Sequence, residues 1–265
     1  MFEIKNFLEE TIRAAGALAL DYFRKGVTHT LKSNLADVVT VADTSIQTLM
    51  IDRIQAAYPE HHIHSEELKE DINPQAEFEW VIDPLDGTRN FALGIPLWCH
   101  IVAVLKQGES YLGAIYNPIA DELFFAEKEK GATMNRLPIH VSDKDTLDFA
   151  CGSFSRAGEA GKVYGTYIEE FKNFSDHLTR ETTAWIYALG TMSAAAYVAS
   201  GGFDFFIQNA GLDHDYLGPA LICSEAGACV TDSEGNPWVR SRQDIVIANP
   251  RLHAKIMTLF KEEQK

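Results

Sequence analysis

Residues 80–88, Trp80-Val81-Ile82-Asp83-Pro84-Leu85-Asp86-Gly87-Thr88, run from an apolar stretch straight into two carboxylates three positions apart. The apolar part reads as the end of a strand over Phe78–Ile82, and the acidic part as the turn that leaves it. Hard cations such as Mg²⁺ take oxygen ligands, and a strand end can hold two carboxylates and a backbone carbonyl rigidly on one ion. Pro84 stiffens the turn. Gly87 permits close backbone approach, and a helix beginning at Thr88 would turn free N–H groups toward a phosphate. An EF-hand loop fails on spacing, because Pro84, Leu85 and Gly94 fall where oxygen ligands should be. A phosphatase that forms an aspartyl-phosphate would set its aspartates two apart before Gly-Thr, and a spacing of three aims the side chains differently. A plain acidic turn with Asp86 capping a helix stays open.

Outward from this stretch, strands are expected at His100–Lys106, Tyr111–Tyr116, Leu123–Ala126 and Gly131–Met134, which makes an antiparallel meander. Upstream, apolar residues at helical spacing predict helices over 3–24, stopped at Gly26, and over 41–57, with Thr40 as N-cap and Pro59 closing the segment. Downstream, helices are expected near 160–174, 191–200, 215–226 and 250–262, with strands near 149–153, 203–207, 228–232 and 244–247. The pattern describes a layered α/β architecture with mixed sheets, divided near residue 145 into a 1–145 subdomain and a 146–265 subdomain.

The chain has 265 residues and a formal charge of −15, which disfavours a protein built to grip phosphate backbones. That charge is concentrated: residues 60–86 carry nine acids and one base, and residues 181–239 carry seven acids and no lysine or arginine. At 46% hydrophobic it is neither a disordered tail nor a membrane protein. Four cysteines without a paired spacing, and no basic signal-like start, lead us to expect a cytoplasmic protein.

Two more acidic groups lie within reach of the turn. His64-Ser65-Glu66-Glu67 reads in isolation as a solvated acidic turn. Asp213-His214-Asp215 precedes an apolar helix, so Asp215 alone reads as its N-cap. Taken with Asp83 and Asp86, these residues supply the anionic oxygens of a two-metal phosphoryl-transfer site, whose ions sit roughly 3.5–4 Å apart.

These blocks, with Asp37-Val38-Val39-Thr40-Val41-Ala42-Asp43 near the start and Ser224-Glu225-Ala226-Gly227 after Asp215, resemble the inositol monophosphatase superfamily of Mg²⁺-dependent, lithium-sensitive phosphomonoesterases. The likeness covers nearly the whole chain, and its D-P-L-D-G-T block is highly specific. The resemblance implies an αβαβα sandwich with mixed, largely antiparallel sheets, two or three Mg²⁺ ions per site, and commonly a homodimer. It implies that Glu66, Asp83 and the Leu85 carbonyl hold the ion that activates the attacking water, and that Asp83, Asp86 and Asp215 hold a second ion. Asp43 and Thr88 would orient and deprotonate that water, and the Gly87 and Thr88 amides would face the phosphate. Glu67 would help place a weak third ion. Gly190, Thr191 and Gln208 are the residues expected on the substrate side. A phosphate monoester is itself anionic, so the acids serve the metals, which reverse the sign locally.

Three positions depart from the pattern. His214 stands where the family usually has tryptophan, Gln208 where inositol-specific members carry a glutamate, and Arg89 resembles relatives acting on histidinol phosphate or nucleotide 3′-phosphates. The expected partner is a small phosphorylated metabolite: myo-inositol monophosphate, fructose 1,6-bisphosphate, histidinol phosphate or a 3′-phosphonucleotide. A non-catalytic regulatory protein on the same fold is the competing reading, since some bacterial relatives act on transcription complexes. Direct nucleic-acid binding is disfavoured, and no membrane partner is expected. His62 and His64 share a strand face and invite a zinc reading, but no third ligand lies at a recognisable spacing, which favours a polar strand edge. Trp185 and Tyr187 read as core or dimer interface, and Ala194–Ala196 as tight packing. No G-x-x-x-x-G-K-[ST], no G-x-G-x-x-G after a strand and no G-x-S-x-G is present.

Overall fold

The computed structural model describes residues 2–26, 29–31, 38–155, 158–159, 162–163 and 167–261, so Asp37 lies outside the described residues. The chain opens with α1 (Phe2–Lys25), whose buried stripe is Ile4, Leu8, Ile12, Ala15 and Ala19. The short strands β1 (His29–Leu31) and β2 (Val38–Thr40) pair antiparallel, and Thr40 caps α2 (Val41–Ala57) as the sequence leads one to expect. A seven-stranded sheet follows, in the spatial order β3 (His62–Ser65), β4 (Phe78–Asp86), β5 (Cys99–Lys106), β6 (Glu109–Asn117), β7 (Glu122–Glu127), β8 (Ala132–Met134) and β9 (Leu137–Pro138). It is an antiparallel meander except for β3, which runs parallel to β4. Strand β4 outruns its expected end and includes both turn acids. Its register against β5 shifts between Asp83 and Asp86, an irregularity that re-aims the two carboxylates. The short helix α3 (Thr88–Ala92) follows at once.

The second half contributes β10 (Cys151–Ser155), the small hairpin β11 (Gly158–Glu159) and β12 (Lys162–Val163), α4 (Ile168–Glu181), β13 (Trp185–Tyr187) and α5 (Ser193–Ala199). Then come β14 (Phe205–Gln208), α6 (Asp213–Glu225), β15 (Cys229–Thr231), β16 (Ile245–Ala248) and α7 (Pro250–Lys261). Its five-stranded sheet has the order β13-β10-β14-β16-β15 and mixes parallel with antiparallel pairs.

Three expectations are corrected. Of the helix expected at 160–174, residues 160–161 and 164–166 lie outside the described residues, Lys162–Val163 form a strand, and the helix begins at Ile168, where the buried stripe Phe171, Phe174 and Leu178 sets its register. Strand β13 was not expected, and Trp185 and Tyr187 stand exposed on that sheet edge, which removes the core alternative for them and leaves the dimer-interface one. Asp215 is the third residue of α6 rather than its N-cap, which is Leu212.

Period-two alternation distributes the sheets between layers. From the seven-stranded sheet, Trp80, Ile82, Val102 and Val104 face α1 and α2, while Ile101, Ile115 and Phe124 face α5 and α6. From the five-stranded sheet, Phe206, Ile245 and Ile247 meet the same α5–α6 layer, while Phe205, Ile207 and Val246 pack on α4 and α7. The order of layers is therefore αβαβα. Helix α6 approaches the first sheet through paired glycines: a Cβ on Gly113 of β6 would sit 2.8 Å from the Gly218 carbonyl oxygen. Among the described residues no helix is long and apolar enough to cross a membrane.

Candidate active site

Three elements bring acids to one place. Asp83 and Asp86 end β4, and Asp215 opens α6, with one carboxylate oxygen from each lying within 4.8 Å of the others. Asp83 is 2% exposed, and its Oδ1 accepts the Leu85 N–H at 3.0 Å. Burial, then the charges of Glu66, Asp86 and Asp215, push its pKa well above the usual carboxylate range. Burial and the Asp215 charge raise Asp86 to about 7 despite a restraining hydrogen bond from Thr191. Asp215 is raised by burial and by Glu66, against the opposing influence of His214. Anionic groups held so close are relieved by a cation, and hard oxygen donors suit Mg²⁺. The donor set therefore fits the metal that the sequence implies.

Glu66 extends the pairing of β3, its N–H donating to the Ile82 carbonyl at 3.1 Å. Its neighbours are tied to α2 by Gln47, whose Oε1 accepts from Ser65 Oγ at 2.6 Å and from the Glu67 N–H at 3.1 Å. A cleft of about 400 Å³ opens beside Glu66, lined also by His64, Leu212, His214, Arg242 and Gln243.

One turn before Gln47 on α2, Thr40 and Asp43 form a capping box at the helix start. Asp43 Oδ2 accepts the Thr40 N–H at 2.7 Å and the Thr40 hydroxyl at 2.5 Å. Its Oδ1 is left for Thr88 Oγ1, at 2.9 Å. The Thr88 hydroxyl also lies 2.8 Å from the Leu85 carbonyl, and with one proton it donates to one acceptor at a time. When that proton points at Asp43, a Thr88 lone pair is open to a water. Burial raises the Asp43 pKa, opposed by the Thr40 and Thr88 bonds, which brings the carboxylate nearer to the range of a useful base.

Gly87 takes φ of +84°, and a Cβ there would lie 2.9 Å from the Leu97 carbonyl oxygen, so only glycine allows this close turn. Asn90 fixes the turn by donating from Nδ2 to the Leu97 and Leu189 carbonyls, at 2.7 Å each. His100, fully buried, donates from Nδ1 to the Pro84 carbonyl at 2.5 Å, and burial holds its pKa down to about 4, which keeps it neutral.

The residues expected on the substrate side separate. Gly190 lies against Asn90, and Thr191 turns its hydroxyl onto Asp86. Gln208 ends β14, one short loop before α6. His62 and His64 both bond to Asp71, at 2.9 Å each, on the outer edge strand. Gln47, Cys99 and His100 escaped the sequence reading. Gln47 alone left a signal, a polar residue one helical turn after Asp43 on the buried face of α2.

The sequence matches the model of the inositol monophosphatase family over residues 1–265, and the chain belongs to that family. It is 28% identical to the fructose-1,6-bisphosphatase/inositol-1-monophosphatase of Thermotoga maritima, over 97% of this chain and 95% of that one. It is 31% identical to a putative Nus factor SuhB of Neisseria meningitidis serogroup B, over 84% of each chain. Among solved structures, the extragenic suppressor protein suhB of Bartonella henselae matches with a TM-score of 0.90 at 28% identity, covering 99% of this chain and 100% of that one.

Proposed function

We propose that this chain is a Mg²⁺-dependent phosphatase that hydrolyses a small phosphate monoester by direct attack of water, without a covalent phosphoenzyme. The observation that carries the reading is the meeting of three carboxylates within 4.8 Å on one side of a turn whose threonine is bonded to a buried aspartate. Glu66, Asp83 and the Leu85 carbonyl would hold one ion, and Asp83, Asp86 and Asp215 a second; Glu67 would assist a third. Bound there, divalent ions supply Lewis acidity at the phosphoryl oxygens and lower the pKa of water. Thr88 accepts the proton of the attacking water as it passes its own to Asp43. The Gly87 and Thr88 amides receive the phosphate oxygens. Gly190 and Gln208 face the alcohol side of the ester.

The Thermotoga relative's name supports inositol-1-phosphate and fructose 1,6-bisphosphate as substrates to test first, alongside histidinol phosphate and a 3′-phosphonucleotide. Release of inorganic phosphate from these four with Mg²⁺, with and without lithium, tests the reading. Asp83→Asn should abolish release while leaving the circular dichroism unchanged, and an undiminished rate would overturn the mechanism. The division of ligands, most from residues 1–145 and Asp215 from residues 146–265, a homodimeric state and a cytoplasmic setting belong to the same proposal. The four unpaired thiols agree with that setting.

A second reading is favoured by the relatives named Nus factor SuhB: a regulatory protein on the same fold. Absence of phosphate release from every member of the panel, together with recovery of transcription proteins on the immobilised chain, would favour it over catalysis.

A further inference from the structure

Asp86 is gripped from behind. Its Oδ2 accepts the Met192 N–H at 2.6 Å, the Cys99 thiol at 3.2 Å and the Thr191 hydroxyl, three donors on one carboxylate oxygen. Such an oxygen offers about two lone-pair directions, so three donors saturate it and leave Oδ1 as the free acceptor. The donors come from two places. Cys99 begins the neighbouring strand β5, whereas Thr191 and Met192 lie at the mouth of α5 in the second half of the chain. Thr191 is 7% exposed and Cys99 fully buried, so water does not compete for these bonds. The Thr191 hydroxyl is also within 3.3 Å of Ser193 Oγ and 3.4 Å of Cys99 Sγ, which fixes its direction.

We propose that Thr191 is a positioning residue, which with the Met192 amide and the Cys99 thiol turns Asp86 so that Oδ1 alone faces the cation, and that it is not a contact to the substrate. This rests on the divalent-cation site proposed above. The two roles predict opposite measurements. A substrate contact changes KM for the ester and leaves metal binding alone; a positioning residue changes metal binding and leaves the KM at saturating metal alone.

The test is calorimetric titration of the full chain with Mg²⁺ in the absence of any ester, for the wild type, Thr191→Val, Thr191→Ser and Cys99→Ala. Thr191→Val should weaken Mg²⁺ binding about 10–100-fold, as loss of a hydrogen bond to a ligating group does. Thr191→Ser, which keeps the hydroxyl, should restore it to within about threefold, and Cys99→Ala should weaken it by a smaller factor. An unshifted isotherm for a folded Thr191→Val, or a rise in KM at saturating Mg²⁺ with the isotherm unmoved, overturns the proposal. If Thr191→Val does not fold, a Cys99→Ala isotherm identical to wild type overturns it on the second donor. Because the readout is metal binding, a wild type that binds Mg²⁺ yet releases no phosphate defeats the phosphatase reading while leaving this test standing.

Discussion

Helices α2 and α6 each present an aspartate at their third position, Asp43 and Asp215, and each aspartate accepts a hydrogen bond from its own N-cap amide. The resemblance ends at the N-cap. Thr40 adds a hydroxyl to the amide, and Thr88 takes the other oxygen, so Asp43 is filled by protein partners and fully buried. Leu212 has no polar side chain to add, and its amide occupies only Oδ2 of Asp215, at 2.7 Å. One position in the same local motif therefore yields two different tools. On the proposed function, a carboxylate filled by hydrogen bonds would orient a hydroxyl and receive a proton, and one left with an open oxygen beside other acids would recruit a cation.

Substitutions that keep shape and remove charge should break this contrast most sharply. Asp215→Asn is expected to abolish Mg²⁺ binding at that ion and to lower the rate by at least about 10³-fold, since metal catalysis supplies several kcal/mol and each 1.36 kcal/mol is a decade. Titration calorimetry beside initial rates reads both, and a normal isotherm would remove the distinction. Asp43→Asn should lower the rate by about 10²–10³-fold, the lower part of the span of a general base, with Mg²⁺ affinity unchanged within about twofold. A shift in affinity like that of Asp215→Asn would show the two aspartates to be alike in kind.

The pH dependence sharpens the cation side. A carboxylate whose folded pKa lies above its unfolded value binds its proton more tightly when folded. The metal-free protein should thus gain stability as pH falls through about 7, where Asp86 takes its proton, and lose it as pH rises. Mg²⁺ at a hundredfold excess over its Kd should stabilise by about 2.7 kcal/mol at pH 8. Thermal melts should show that increment shrinking toward pH 6, and a constant increment would contradict the clustering of charge. The smallest effect belongs to the filled side: Thr40→Ala should cost about 1 kcal/mol in urea unfolding, as the loss of an N-cap hydroxyl does.

The parts of the site that lie within one element or one turn were legible. Asp83, Leu85, Asp86, Gly87 and Thr88 are contiguous, and strand-to-turn chemistry sets their order along the chain. The Thr40–Asp43 box is a local pattern at fixed spacing, so it could be read even while its link to Thr88 could not be derived from spacing. What stayed hidden runs between distant segments. Thr191 reaches Asp86 across 105 positions, and Gln47 holds Ser65 across 18. No periodicity encodes either bond. Taken alone, Asp215 reads as the N-cap because the apolar run begins at Tyr216, whereas the helix begins at Asp213 and makes Asp215 its third residue. In the structure Asp213 heads the helix and is held by Arg240 at 2.6 Å and by the Ser241 amide at 2.8 Å. In the second half, the start of α4 depended on which aromatic residues found a sheet to cover, a tertiary decision that local propensity does not make.

The glycine contact between Gly113 and Gly218 bears on the order in which a ribosome delivers this molecule. The sheet holding Asp83 and Asp86 is finished once β9 has emerged, but the layer that covers its far face includes α6, which arrives only after most of the five-stranded sheet's residues have been made. Until then the nascent chain carries a meander with one uncovered apolar face and an acid cluster lacking its last member. Chains stalled between Pro138 and Glu225 should accordingly be the species that holdase chaperones retain longest.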